Sequence, residues 1–331
     1  MAGRYVIYGA GAIGGVIGGC LTRIGEPTVV IARGEHLAVM QRQGLTMKLP
    51  SGTEQVPVHA VGHPAEAELT EDDVVLIAVK SQHTEAVLTD LERSAPPGIA
   101  VVCVQNGVAN EAMALRRFAR VYGVCVMMPT FHLEPGVVEG SARPMHGVLD
   151  IGRYPTGSDA TAERTADALT RAGFRSIPDE AIMRQKWAKL LMNTGNALEA
   201  ACGPEARTAD LGREAVAEAR AVFAAAAIDM ASGDEFRARR TGMEIVELGD
   251  GPRPGGSTWQ SLARSAPDTE VDFLNGEVVF QGRLHGVPTP VNETLRQLAN
   301  RMVAEGTPPG SIAVDEIEAL VKLAREADTR A

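Results

Sequence analysis

The chain has 331 residues, of which 45% are hydrophobic, and a formal net charge of −10. A single hydrophobic core rarely serves more than about 250–300 residues, so the length predicts two domains. The acidic balance argues against nucleic-acid binding, which needs a basic face. No apolar run reaches the roughly 18 residues of a membrane-spanning helix, and the first residues lack a signal-peptide pattern. We therefore expect a soluble cytoplasmic protein.

Cysteine and histidine spacing gives no sign of a metal site. The chain has four cysteines, far apart and without a C-x-x-C pair, and seven histidines without H-x-x-x-H or H-x-x-E-H spacing. Cysteines used in this way are typical of small core residues in a reducing compartment. We predict no bound metal.

The first half of the chain alternates short β-branched runs with helical stretches such as Ile13–Ile24 and Ala160–Ala172, which predicts a parallel sheet. Two pairs of strands are predicted to differ from the rest: Leu45–Leu49 with Val56–Ala60 as an inserted hairpin, and Val137–Glu139 with Gly147–Gly152 as short antiparallel strands. The remaining predicted strands are Tyr5–Tyr8, Thr28–Ala32, Asp73–Val79, Ile99–Val104, Val121–Val126 and Phe174–Ile177.

A glycine-rich turn follows the first predicted strand. Gly9, Gly11 and Gly14 form G-x-G-x-x-G, with Ala12 and Ile13 between the last two, at the start of a predicted helix. In this setting the first glycine permits a tight turn and the second lets a pyrophosphate approach the backbone. The third lets the helix pack closely on the strand. We predict that these five residues bind a dinucleotide.

Arg33 follows the second predicted strand and indicates which dinucleotide is bound. An NAD-binding turn usually has Asp or Glu here, to accept a hydrogen bond from the ribose 2′-hydroxyl. A guanidinium suits a 2′-phosphate instead. A solvated loop arginine is the alternative; we predict NADP.

Three polar residues follow the ends of later strands: Lys80 and Gln82 after one, and Asn106 after the next. Because ligands of open α/β sheets bind beyond the carboxyl ends of the strands, these residues are candidates for the same site. Taken alone, Asn106 and Gly107 could form only a turn, and Lys80 could be a surface lysine.

The composition changes after Pro178, where β-branched runs vanish and amphipathic patterns dominate. We predict an α/β domain over residues 1–178 and a helical domain over residues 179–331, with a glycine- and proline-rich loop at Gly249–Ser257. The alanine-rich segment Glu214–Ala231 could pack against another helix of this chain or of a second copy, which leaves a homodimer open. The predicted helices are Glu180–Ala201, Leu211–Ala231, Glu270–Leu284, Pro290–Glu305 and Val314–Ala324.

The first of these helices places Lys189, Asn193 and Asn196 at i, i+4 and i+7, hence on one side. A lysine with two asparagines is unusual in a core. The alternative is a solvated face, although such faces more often carry Glu and Lys. Further along, Glu270 follows Thr269 at a predicted helix start, where it could serve only as a residue favoured by the helix dipole.

Six segments occur in the order typical of one enzyme family and span essentially the whole chain. They are GAGAIGG at 9–15, VKSQHTEAVL at 79–88, QNG at 105–107, LEPGVVEG at 133–140, KWAKLLMN at 186–193 and TEVDFLNGEVV at 269–279. On these motifs the chain resembles the ketopantoate reductase (2-dehydropantoate 2-reductase) family. The resemblance implies a Rossmann-type, doubly wound NADP-binding domain followed by an all-α domain, with the active site in the cleft between them.

Position by position, the resemblance implies that Lys189 is the catalytic lysine and Glu270 the acidic partner near the substrate hydroxyl. Hydride delivery to a ketone builds negative charge on the oxygen, which a protonated lysine stabilises and can protonate. A nearby carboxylate keeps that lysine charged. The remaining implied roles are Asn106 and Asn193 lining the site, Arg33 at the 2′-phosphate and Lys80 in the cofactor cleft.

The chain departs from the family pattern at two substrate-binding positions. The family usually has an asparagine eight residues after the catalytic lysine; here that position is Ala197, and Asn196 stands beside it. The serine that grips the substrate carboxylate in the family corresponds to Ser257 or to Thr258, depending on a one-residue gap. Both changes leave the hydride chemistry intact and affect the choice of substrate.

Three hypotheses follow. The first is NADPH-dependent reduction of 2-dehydropantoate to (R)-pantoate, a step of pantothenate and coenzyme A biosynthesis. The second keeps the reaction and changes the substrate to a different 2-oxo acid or a secondary-metabolite ketone. The third, of another class, is a non-catalytic NADP(H) sensor, which would not need Lys189 and Glu270.

Overall fold

The computed structural model describes residues 3–248 and 255–328. The chain divides into two compact units: Met1–Lys186 with Ala231–Pro252, and Trp187–Met230 with Arg253–Ala331. These bounds differ from the predicted limits 1–178 and 179–331. The first helix after residue 178 belongs to the first unit as far as Lys186, and a later segment returns to that unit. Of the predicted loop Gly249–Ser257, residues 249–254 lie outside the described residues.

Every strand that the structure describes belongs to the first unit. In chain order they are β1 Tyr5–Tyr8, β2 Thr28–Ile31, β3 Leu45–Leu49, β4 Gly52–Val56, β5 His59–Val61, β6 Val74–Ile77, β7 Ala100–Cys103, β8 Arg120–Met127, β9 Thr130–Phe131, β10 Val137–Gly140, β11 Ala142–Arg143, β12 Val148–Arg153 and β13 Glu244–Ile245.

The helices are distributed over both units. In chain order they are α1 Ala12–Arg23, α2 Gly34–Gln43, α3 Thr84–Ser94, α4 Asn110–Leu115, α5 Ala160–Arg171, α6 Ile182–Asn193, α7 Asn196–Cys202, α8 Asp210–Ala225, α9 Gly233–Arg239, α10 Ser257–Ala263, α11 Asn275–His285, α12 Pro290–Glu305 and α13 Val314–Asp328.

The main sheet has seven strands in the order β12-β8-β7-β6-β1-β2-β5. Every neighbouring pair is parallel except β12 with β8. The chain leaves β1 for β2 and β5 on one side and returns to β6, β7 and β8 on the other. The order therefore reverses between β1 and β6, the place where sheets of this kind bind ligands.

Both faces of this sheet are covered, which is why its strands are almost continuously apolar. Val75 and Val101 pack in one core cluster with residues of α3. Their neighbours Leu76 and Val102 point the other way, into a second cluster with residues of α1. These two layers confirm the predicted doubly wound α/β fold.

Three predicted strand features need correction. The hairpin forms between β3 and β4, and Val56 is the last residue of β4. The predicted strand Val56–Ala60 is therefore wrong. Residues His59–Val61 form β5, which joins the main sheet beside β2. Strand β10 pairs antiparallel with β9 but parallel with β3. The predicted strand Phe174–Ile177 is also wrong, because only Arg175 and Pro178 form isolated bridges with β12.

The predicted helix Glu180–Ala201 is interrupted and forms α6 and α7. At the break, side chains from other parts of the chain donate hydrogen bonds to backbone carbonyls. In a continuous helix these carbonyls would accept from backbone N–H groups of the helix itself. Arg207 donates to the Met192 carbonyl, and Asn275 Nδ2 donates to the Thr194 carbonyl at 2.9 Å. Such non-local partners explain why a periodic pattern alone predicts one helix.

Three further predicted helices differ from their predicted bounds, and one matches. Helix α13 continues past the predicted Ala324 to Asp328. Helix α8 stops at Ala225, since Ala227 adopts a left-handed conformation with φ 52°. The predicted helix Glu270–Leu284 forms a 3-10 turn at Glu270–Phe273 followed by α11. Helix α12 has the predicted bounds Pro290–Glu305, with proline at its first position.

The segment after Ala231 is held to the first unit by an ion pair and by backbone bonds. Arg239 of α9 donates through Nε to Oδ2 of the buried Asp150 at 2.6 Å. Val246 donates its amide to the Ser141 carbonyl at 2.8 Å, next to the β11–β13 pairing. No local pattern predicts this return, because its partners lie far back in the chain.

The second unit has its own apolar core, which contains Leu198, Leu295 and Ile317. Each regular element that the structure describes in this unit is helical, so the predicted combination of an α/β sheet with an all-α region is confirmed. Within the described residues, none of the helices combines the length and the apolar character needed to cross a membrane.

Candidate active site

The three glycines of the first turn have three different environments. Gly9 has φ +104°, a conformation that side-chain-bearing residues rarely adopt. A Cβ added to Gly14 would lie 2.1 Å from the Gly9 carbonyl oxygen, so only glycine lets α1 pack there. A Cβ on Gly11 would meet nothing within 4 Å. The turn therefore leaves no room for a side chain at its first and third glycines, whereas the space beside the second glycine is empty.

The start of α1 offers donors at that open position. Gly11 is the N-cap residue and provides no side-chain cap, and the first helical residues Ala12 and Ile13 are half-buried. The first N–H groups of a helix lack intrahelical partners and favour an anion. An open glycine beside uncapped amides fits a pyrophosphate group.

His36 fixes the turn from outside. Its Nδ1 accepts a hydrogen bond from the Gly136 amide at 2.8 Å, so the proton sits on Nε2, which lies 2.7 Å from the Ala10 carbonyl oxygen. Ala10 stands between the first two glycines. Burial lowers the pKa of His36, which favours the neutral ring that these two bonds require. The sequence pattern gave no role to His36 or Gly136.

Arg33 lies between β2 and α2, where it is the N-cap residue of α2, and it is exposed. Its guanidinium makes no hydrogen bond or ion pair with any described residue. Nearby, the Tyr8 hydroxyl donates to Asp90 Oδ2 at 3.0 Å. Burial and the Asp90 carboxylate raise the pKa of Tyr8, and the positive charge of Arg33 acts in the opposite direction. Arg33 is therefore a cation at the strand edge whose donors remain open to an anion.

Lys80, Gln82 and Asn106 lie at the same edge of the sheet as the glycine turn. Lys80 and Gln82 lie in the connection after β6, and Asn106 follows β7; all three are half-buried. Because β1, β2, β6 and β7 are parallel, their carboxyl ends share one edge. Every residue of the first unit that the sequence assigns to the site therefore lies along this one edge of the sheet.

A buried polar network, which the sequence pattern did not predict, supports these strand ends. Gln105 Nε2 donates to the Val79 carbonyl at 2.9 Å and to Thr84 Oγ1 at 2.8 Å. Asn110 Nδ2 donates to the Asn106 carbonyl at 2.9 Å. The network ties the end of β7 to the connection after β6. The signal for it was the polar run after an apolar strand, in which the sequence pattern assigned a role only to Asn106.

In the second unit, Lys189 and Asn193 are one turn apart on α6. Asn193 is buried, and its Oδ1 has no hydrogen-bond partner among the described residues. A buried amide oxygen without a donor is costly and is a common feature of ligand sites. Asn196 is also buried but begins α7, so the expectation that it shares one continuous helix face with Lys189 is wrong.

The remaining predicted residues begin short elements of the same unit. Ser257 and Thr258 open α10, where Thr258 is buried and Ser257 is half-buried. The buried Glu270 opens the 3-10 turn after Thr269, whose hydroxyl caps it. Glu199 Oε1 accepts from the Gly256 amide at 2.9 Å and so ties the start of α10 to α7. The sequence reading missed Glu199.

Two models of one protein family match the chain. The model described as ketopantoate reductase PanE/ApbA matches residues 5–156, and that of the ketopantoate reductase PanE/ApbA C terminal matches residues 181–303. The chain belongs to the ketopantoate reductase family. It is thus an oxidoreductase that acts on a ketone, which confirms the enzyme class predicted from the motifs.

Curated relatives of this ketopantoate reductase family member match over almost their full length. A 2-dehydropantoate 2-reductase from Pyrococcus horikoshii is 28% identical over 297 residues, covering 87% of this chain and 94% of the relative. One from Halobacterium salinarum is 29% identical over 319 residues, covering 92% of this chain and 100% of the relative.

Solved structures share the fold. A PanE/ApbA family ketopantoate reductase from Ralstonia eutropha is 27% identical, with a TM-score of 0.76, covering 92% of this chain and 99% of that one. D-mandelate dehydrogenase, solved with NADH and anilino(oxo)acetate, is 21% identical, with a TM-score of 0.78 and the same coverage of 92% and 99%. The second similarity is one of fold alone.

Proposed function

We propose that the chain is an NADPH-dependent reductase that converts 2-dehydropantoate to (R)-pantoate, a step toward pantothenate and coenzyme A. The relatives named 2-dehydropantoate 2-reductase, which match nearly the whole chain, support this substrate. The observation that carries the proposal is Asn193, a buried amide with an orphaned oxygen one helical turn after Lys189. It is the kind of group that a small polar substrate satisfies.

The first unit fits a dinucleotide. The turn of Gly9, Gly11 and Gly14 would hold the pyrophosphate, and Arg33 would pair with a 2′-phosphate, which distinguishes NADPH from NADH. Lys80, Gln82 and Asn106 would line the same edge. When bound, NADPH supplies the hydride.

The residues of the second unit would act on the substrate oxygen. Lys189, as an ammonium, stabilises the negative charge that develops on the ketone oxygen and donates a proton to it. Glu270 keeps that ammonium charged and oriented. The amide nitrogens of Asn193 and Asn106 offer neutral donors to the carboxylate or carbonyl. The orphaned Oδ1 of Asn193 accepts a hydrogen bond from the substrate hydroxyl, and a hydroxyl of Ser257 or Thr258 binds the carboxylate.

A second candidate keeps this chemistry and changes the substrate to a related 2-oxo acid or a secondary-metabolite ketone. It is favoured by the helix break that puts Asn196 at the start of α7, with alanine at the position where the family usually has asparagine. A different arrangement of donors selects a different acid.

A substrate panel tests both candidates. NADPH oxidation would be followed with ketopantoate and with 2-oxo acids that lack its branched hydroxymethyl group. We expect kcat/KM for ketopantoate to exceed that for generic 2-oxo acids by at least about 100-fold, since a site built to bind a hydroxyl rejects analogues without it. Equal values would reject ketopantoate as the substrate, and absence of all turnover would favour an NADP(H) sensor.

A further inference from the structure

A buried ion pair lies beneath the strand end that carries Asn106. Lys186 Nζ lies 2.5 Å from Glu111 Oε1, and the two side chains are 2% and 0% exposed. Both residues belong to the first unit. Neither carries a role in the proposed reaction, so their burial requires another reason.

The Lys186 ammonium forms an ion pair with Glu111 and donates hydrogen bonds to two backbone carbonyls. These are the Gln105 carbonyl at 2.9 Å and the Val124 carbonyl at 3.3 Å. One side chain therefore joins the end of β7, strand β8 and helix α4 to the first half of α6. Neither carboxylate oxygen of Glu111 has an aligned hydrogen-bond donor among the described residues, so the ammonium is its charge partner.

The fold makes room for this pair. A Cβ added to Gly123 of β8 would lie 3.1 Å from Glu111 Oε1 and 3.4 Å from Lys186 Cδ. Most side chains at that position would crowd both partners. A glycine within a strand usually marks such a close approach.

Asn106 is held from both sides by this arrangement. The carbonyl before it, that of Gln105, accepts from Lys186, and its own carbonyl accepts from Asn110 Nδ2 at 2.9 Å. Gly107, with φ +78°, then turns the chain. The peptide groups that flank Asn106 therefore have fixed directions, and so does the bond to its side chain.

Stability alone does not explain the pair. Burying two charges costs about as much as their attraction returns, and replacing such a pair with apolar residues of similar volume is often neutral or stabilising. We propose that Lys186 is a positioning residue, whose N–H donors set the strand-end loop of Asn106, while Glu111 keeps its charge compensated. The consequence for turnover rests on the function proposed above for Asn106.

Two variants separate positioning from stability. The double variant Lys186→Met with Glu111→Leu removes both charges and the donors but keeps apolar volume. We expect its melting temperature to stay within about 5 °C of wild type, since no unpaired charge remains. Amide exchange of residues 105–110 should become about tenfold faster or more, and kcat/KM for the 2-oxo acid should fall about tenfold.

The single variant Glu111→Gln should behave in the opposite way. It leaves the ammonium and its carbonyl partners but removes the compensating charge, so we expect a melting temperature lower by about 10 °C. At temperatures well below that transition, kcat/KM should stay within about threefold of wild type, because the Gln105 carbonyl is still held.

The matched control is Asp150→Leu with Arg239→Met, an ion pair of the same unit between a buried carboxylate and a half-buried arginine, which should leave exchange at residues 105–110 unchanged. Wild-type exchange there, or wild-type kcat/KM, in the Lys186→Met/Glu111→Leu variant would overturn the proposal. If that variant does not fold, a tenfold loss of activity in Glu111→Gln overturns it instead. The exchange measurement needs no substrate, so it tests the positioning role even if the wild-type protein shows no turnover. Failure of the proposed reaction can therefore be distinguished from failure of the positioning proposal.

Discussion

The Nε2 atom of His36 lies 2.7 Å from the carbonyl oxygen of Ala10, inside the glycine turn, while its Nδ1 accepts from the Gly136 amide. One neutral imidazole thus links the turn to the connection before β10. Since Ala10 lies between Gly9 and Gly11, its peptide orientation sets how the turn faces a pyrophosphate.

Replacing His36 should weaken cofactor binding. In His36→Ala both hydrogen bonds are lost, each worth about 1 kcal/mol, so we expect the Kd for NADPH to rise about tenfold. Fluorescence titration with NADPH measures this directly. His59→Ala, which alters an exposed histidine of β5, is the control and should bind normally. An unchanged Kd in His36→Ala would remove its positioning role.

Acid should destabilise the protein partly through the same residue. Burial lowers the pKa of His36 below its ordinary 6.5, so the unfolded chain binds the proton more readily than the folded one. The contribution of neutral His36 to the free energy of unfolding is therefore fully present above about pH 6.5. It is lost as the pH falls toward the pKa of His36 in the folded state. Melting temperatures from pH 7.5 to 5.5 should fall less steeply for His36→Gln than for wild type; parallel curves would contradict this linkage.

The glycine turn predicts opposite outcomes for two similar substitutions. Gly11→Ala places its methyl group in open space, so we expect a melting temperature within about 3 °C of wild type but at least about tenfold weaker NADPH binding. Gly14→Ala would force a Cβ to 2.1 Å from the Gly9 carbonyl and should lower the melting temperature markedly. Thermal scans with and without NADPH distinguish them. Tight NADPH binding by Gly11→Ala would exclude a pyrophosphate at this position.

Arg33→Asp should change the choice of cofactor. A carboxylate repels a 2′-phosphate and accepts from a ribose hydroxyl, so the Kd for NADPH should rise about 100-fold while that for NADH changes little. The ratio of the two dissociation constants is the measurement, and Arg42→Ala on the surface of α2 is the control. A wild-type ratio would show that Arg33 does not contact the phosphate.

Lys189→Ala should abolish turnover without affecting cofactor binding. Loss of a group that acts chiefly in the transition state lowers kcat and kcat/KM together, here by about 1,000-fold or more. Stopped-flow hydride transfer and NADPH titration measure the two effects separately. Lys322→Ala, an exposed lysine of α13, should be indistinguishable from wild type. Normal hydride transfer in Lys189→Ala would exclude it as the acid.

Local signals explain what the sequence could predict. The glycine turn is recognisable because its three glycines lie within six residues, directly after one apolar strand. Arg33, Lys80 and Asn106 could be placed at one edge because parallel strands must end together. The bounds of α12 were also predictable, since Pro290 and Gly306 mark its two ends.

Non-local partners explain what the sequence could not predict. The break after α6 depends on Arg207 and Asn275, which come from later parts of the chain and donate to the Met192 and Thr194 carbonyls. The pairing of Lys186 with Glu111 leaves no periodic trace, because a buried lysine and a surface lysine look alike in a sequence. In each case a distant side chain decided the local outcome.

The return of Ala231–Pro252 to the first unit means that neither half of this protein is one continuous piece of chain. A gene fragment ending at residue 178 would encode the whole main sheet but omit Arg239. It would leave the Asp150 carboxylate buried without its cation. An excised nucleotide-binding fragment must therefore be assembled from two stretches of coding sequence, and exchange of halves between homologues requires three matched crossover points.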